Sequence, residues 1–65
     1  MVSSREILKA LQADGWRVIR QSGSHAQLKH SNRLGTVTVP HPRRDMPIGT
    51  LRSIERQSGM TFGRK

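Results

Sequence analysis

Histidine titrates nearest neutrality of all side chains, with an unperturbed pKa of about 6.5, and so is best suited to moving a proton at physiological pH. The chain has three, His25, His30 and His41, with no cysteine or tyrosine beside them. Gly23-Ser24-His25 sets an imidazole directly after a glycine turn, at the start of an expected strand. Two readings stand for it: a surface histidine without a role, or a general acid or base. His30 lies at the other end of the same expected strand. An odd spacing puts it on the opposite side of a sheet, which argues against a metal site shared with His25. His41, between Pro40 and Pro42, reads as a loop residue.

The carboxylates assemble no competing chemistry. Glu6, Asp14, Asp45 and Glu55 are the full set. Glu6 fits a helix cap, Asp14 precedes a helix stop, Asp45 precedes a helix start, and Glu55 falls on an expected solvent-facing side. No pair supports a two-metal nuclease, and neither a metal nor an organic cofactor is expected. Twelve Lys and Arg against these four acids give a net charge of +8 and a pI of about 11.9. That excess points to a polyanionic partner, with nucleic acid ahead of an acidic protein. Arg20 and Lys29 are basic neighbours of His25 that can hold a phosphate beside its ring. One imidazole is enough to take the proton of a ribose 2′-OH, because the RNA then carries its own nucleophile. Arg43-Arg44, the densest charge, is either a solvated basic turn or a phosphate clamp. Trp16 reads as a core or rim residue in preference to a platform for base stacking.

These side chains need elements to hold them. Ser3-Ser4-Arg5-Glu6 is a capping box, with Ser3 as N-cap and Glu6 at N3, and Val2 and Ile7 sit where a hydrophobic staple forms. The helix is expected over residues 4–14, with Ile7, Leu8 and Leu11 as its apolar stripe and Gly15 as its stop. Strands follow at 16–21, 25–30 and 36–39, the first two separated by Ser22-Gly23-Ser24 and the last two by a loop over 31–35. In the second strand His25, Gln27 and Lys29 share one face, and Ala26, Leu28 and His30 the other. Pro40 ends the third strand. A second helix begins around 47–49 and runs to about Ser58, stopped by Gly59, with Ile48, Leu51, Ile54 and Ser58 along one side. Met60 and Phe62 can return to the core, and Gly63-Arg64-Lys65 reads as a frayed tail.

A chain near 60 residues buries only about 60% of its unfolded surface, so one domain over 1–65 is expected. No apolar run approaches the roughly 18 residues of a membrane span and no charged-then-apolar leader opens the chain. A cytoplasmic protein without membrane contact is therefore expected. The fold class is α+β, in the order α-β-β-β-α, with a three-stranded antiparallel sheet and both helices on one face. The face bearing His25, Gln27, Lys29, Thr36 and Thr38 is left open. This is the arrangement of double-stranded-RNA-binding domains, a likeness of fold that by itself says little about function.

Four segments together resemble the HicA family of bacterial toxins: Asp14-Gly15-Trp16; Arg20-Gln21 with Gly23-Ser24-His25; Thr36-Val37-Thr38-Val39-Pro40-His41-Pro42; and Pro47-Ile48-Gly49-Thr50-Leu51-Arg52-Ser53-Ile54. They span nearly the whole chain in the family's order. The resemblance implies a double-stranded-RNA-binding-domain-like fold, ribonuclease activity on mRNA, and a HicB-like antitoxin protein as partner. It also implies His25 as the catalytic residue. Joined to the charge reading, it makes Arg20, Lys29, Arg43 and Arg44 the expected RNA-binding residues. The alternative is an RNA-binding module on the same basic surface that does not cleave.

Overall fold

The computed structural model describes residues 2–62; Gly63-Arg64-Lys65, expected to form a tail, lies outside them. The elements are α1 (Ser4–Ala13), β1 (Trp16–Ser22), β2 (His25–His30), β3 (Arg33–Pro40) and α2 (Ile48–Ser58). The start of α1 is closed reciprocally. Ser3 N–H donates to Glu6 Oε1 at 3.1 Å, and Glu6 N–H donates to the Ser3 hydroxyl at 3.3 Å. Each end of α1 is thus set locally, because Asp14 caps the other end and Gly15 leaves it with φ +104°.

The sheet is a meander in the order β1-β2-β3, antiparallel throughout. Gly23, at φ +57°, is the first central residue of the two-residue turn joining β1 to β2, where glycine suits a II′ geometry. Each outer strand carries an irregularity against the regular β2. In β1 the register shifts between Val18 and Arg20, leaving Ile19 without a partner of its own. In β3 the stretch from Arg33 to Val37 spans only His30 to Leu28 of β2. The hairpin turn is therefore shorter than the expected loop over 31–35, and β3 starts earlier, with Leu34 97% exposed on the excess. Extra residues of this kind increase local twist and bend the strand that carries them.

Both helices cover one face of the sheet. Ala26, Leu28, Val37 and Val39 meet Ile7, Leu11, Trp16, Met46, Leu51, Ile54 and Phe62 in one buried cluster. Alternation in β2 and β3 places these four inward and His25, Gln27, Lys29 and Thr38 outward. Two details of α2 differ from the sequence pattern. Ile48 sits at the first helical position and is 59% exposed, away from the stripe of Leu51, Ile54 and Ser58. Glu55 does not face solvent: it is 8% exposed, and its Oε2 accepts the Phe62 N–H at 2.9 Å. A carboxylate is there because the chain returning after α2 needs an acceptor for a buried amide. No helix among the described residues is long and apolar enough to cross a membrane.

Candidate nucleic-acid interface

The outward face of the sheet is organised in rows by strand register, since directly paired residues share a face. One row is Ser22, His25 and Pro40; the next is Arg20, Gln27 and Thr38; a third pairs Arg17 with Lys29. His25 is exposed and makes no side-chain hydrogen bond among the described residues. Arg20 lies one row away, within reach of an anion bound at the imidazole. Lys29 is four residues along β2, about 13 Å at the usual rise per strand residue, too far to share one anion with the imidazole.

The bulge in β1 creates this cationic face. In a regular strand Arg17 and Arg20, three residues apart, would point to opposite sides. With Ile19 bulged, Arg17 pairs with Lys29 and Arg20 with Gln27, and both share the side of His25. None of the four carboxylates belongs to a strand, so the face carries positive charge without an internal counter-charge. Ser22, paired with His25, and Gln27, two residues along β2 on the same face, were not singled out from the sequence as site residues. Ser22 became visible only with the register of the hairpin.

Arg43 and Arg44 are elsewhere. They are exposed on the loop of residues 41–47, which is fastened to the start of α1. Ser4 N–H donates to the Arg43 carbonyl at 2.8 Å, Arg43 N–H donates to the Ser4 hydroxyl at 2.8 Å, and Ser4 Oγ lies 2.8 Å from His41 Nδ1. The structure thus groups His25, Arg20 and Lys29 on the sheet, and places the arginine pair opposite α1. The two regions adjoin through the backbone: His41 N–H donates to the carbonyl of Ser24, the residue before His25, at 2.7 Å.

His30 and His41 are both engaged in the framework. Asn32 N–H donates to His30 Nδ1 at 2.9 Å, so the ring's proton is on Nε2, which lies 2.8 Å from the Asp14 carbonyl. The ring also stands edge-on to Trp16, with centroids 5.3 Å apart. Trp16 itself is 1% exposed and presents no face to a base. Among the described residues no group of three or more His, Cys, Asp or Glu is gathered to hold a metal ion.

A small basic α+β domain with a double-stranded-RNA-binding-domain-like fold, one sheet face open and cationic around a histidine, is the class these features define. The family model described as the HicA toxin of bacterial toxin–antitoxin systems matches residues 4–60, and the chain belongs to that family. Among solved structures, a chain of the "HicA3 and HicB3 toxin-antitoxin complex" aligns with a TM-score of 0.81 and 29% identity, over 95% of this chain and 100% of that one. No curated protein matches in sequence.

Proposed function

We propose that this chain is an endoribonuclease toxin that cleaves mRNA without a metal ion, with His25 as its catalytic residue. The observation that carries the reading is the setting of His25. It is an exposed imidazole with no hydrogen-bond partner among the described residues, on a cationic sheet face that holds no carboxylate. His25 takes the proton of a ribose 2′-OH, and the freed oxygen attacks the adjacent phosphorus. The bond from phosphorus to the 5′-oxygen breaks, and the 5′-oxygen takes up a proton as it leaves. The products are a 2′,3′-cyclic phosphate and a 5′-OH end. Arg20 holds the scissile phosphate, while Lys29 and the pair Arg43 and Arg44 bind flanking ones. The attacking oxygen belongs to the RNA, so the protein has to supply only a base and a phosphate grip, within the means of a shallow surface.

Membership in the HicA toxin family supports this reading. The solved neighbour is a complex with an antitoxin, and on that likeness a HicB-like antitoxin is the partner that restrains this chain, in the cytoplasm where mRNA is met. The test is cleavage of a defined single-stranded RNA in EDTA by the wild-type chain and by His25→Ala. Cleavage is expected to persist in EDTA, to vanish with the substitution, and to be blocked by a 2′-deoxy nucleotide at the cut position. A requirement for Mg²⁺, or full activity in His25→Ala, overturns the mechanism. Salt-sensitive RNA binding with no cleavage by the wild-type chain makes it a binding module instead.

A further inference from the structure

The wall formed by the loop of residues 41–44 faces one side of α1 across a groove of about 860 Å³. From α1 come Arg5, Leu8, Lys9 and Gln12, which recur at helical spacing on one face, and from the loop come Arg43 and Arg44. The lining contains no carboxylate. Its four long cations are exposed, while Leu8, on the α1 wall, is half-buried and packs against the core. The groove is held open by the Ser4 bonds to Arg43 and His41, so its width does not depend on a ligand.

We propose that this groove binds the stretch of single-stranded RNA that flanks the cleaved phosphate, with phosphates on its rim and sugar or base against Leu8. Three observations favour RNA over an acidic protein segment. The cations stand on both walls, as a backbone with charge at every residue requires. Gln12 supplies hydrogen-bonding capacity between them for sugar or base edges. The groove also leads to the turn before His25 through the His41 N–H bond to the Ser24 carbonyl, so one strand can occupy both. That the bound strand continues to the cleaved phosphate rests on the ribonuclease reading; the binding itself does not.

The experiment measures affinity for a fluorescent, unstructured 12-nucleotide RNA over a salt series, using a His25→Ala chain so that nothing is cut. Arg5→Glu/Lys9→Glu on one wall and Arg43→Gln/Arg44→Gln on the other are each expected to weaken binding about tenfold or more. Each should also make the salt dependence shallower, by about 0.7 for every phosphate the groove no longer holds. Arg52→Glu/Arg56→Glu on α2, which changes the net charge as much as the first pair, is the control and should weaken it by less than about threefold. Equal losses in the groove and control variants overturn the proposal, since net charge alone would then explain them. So does unchanged RNA affinity with abolished binding of a polyglutamate peptide, which would give the groove to an acidic protein. If the groove variants lose RNA affinity while the wild-type chain cuts nothing, the groove stands and the ribonuclease reading falls. If cutting depends on His25 but the groove variants bind RNA normally, the reverse holds.

Discussion

β2 carries a histidine at each end, and the two rings are bonded in opposite ways. At His30 both ring nitrogens are committed, one accepting from Asn32 N–H and the other placed on the Asp14 carbonyl. The backbone of Gly15 comes so close that a Cβ there would lie 2.7 Å from His30 Nε2. At His25 no hydrogen bond among the described residues fixes either nitrogen. A ring that donates at one nitrogen and accepts at the other ties two stretches of backbone together, so it acts as a crosslink. A ring with both nitrogens unspent can act on something else. The contrast follows from the pleat, because an odd spacing along one strand sends one imidazole against Trp16 and the other to the open face.

The sharpest way to break this contrast is to remove each ring in turn. His25→Ala is expected to lower RNA cleavage by about 10²–10⁴-fold, the usual worth of a general base, with an unfolding midpoint close to that of wild type. His30→Ala is expected to do the reverse. It should cost about 2–3 kcal/mol in urea unfolding, because it removes two hydrogen bonds and the edge-on packing against Trp16. Cleavage by its folded fraction in the cold should stay within about threefold of wild type, since the ring acts on the framework alone. Loss of cleavage by a folded His30→Ala chain, or unfolding of His25→Ala, would exchange the two roles.

Gly15→Ala tests how tightly the His30 crosslink is seated. A side chain at φ +104° is strained, and its Cβ meets the ring, so a destabilisation of about 2–4 kcal/mol is expected. That approaches the whole stability of about 3–5 kcal/mol expected for an unstapled domain of this size. In a His30→Ala background the penalty should shrink, leaving the double mutant less destabilised than the sum of the two single changes; strict additivity would show that the ring plays no part. A smaller effect, about 1–2 kcal/mol, is expected of Ser4→Ala, which removes the acceptor of the Arg43 N–H and the partner of His41. Circular dichroism melts read it directly, and a neutral outcome would mean that the loop is held without that hydroxyl.

Local signals carried much of the architecture. Ser3 and Glu6 announce the start of α1 because both partners of the cap lie within one turn. The alternation of β2 separates Ala26 and Leu28 from His25 and Gln27 because one face is buried and the other is not. What escaped the sequence depended on partners outside the element concerned, whether a few residues past its end or far along the chain. Glu55 is buried to serve Phe62 N–H, a need that helical periodicity does not reveal. Arg43 and Arg44 look like an isolated cluster until Ser4, some forty positions earlier, pins their loop to α1. The expected site divides along the same line. His25, its strand neighbours and the distance of Lys29 along β2 were legible from pattern, whereas the place of Arg20 on the face of His25 and the separation of the arginine pair needed the register and the loop.

The unpaired Ile19 has a consequence for parity. Trp16 must face the core and Ser22 must share the side of His25, yet the two are separated by an even number of residue steps, which a regular strand would place on the same side. The supernumerary residue resolves that contradiction, so β1 encodes an odd count as firmly as it encodes any side chain. Deleting one residue between Trp16 and Ser22 would be harsher than replacing Ile19 with a polar residue, although Ile19 is exposed. The deletion would oblige the strand to surrender either its indole anchor or its place beside the imidazole. Chain length here behaves like a binary digit, and the two faces of the sheet read its value.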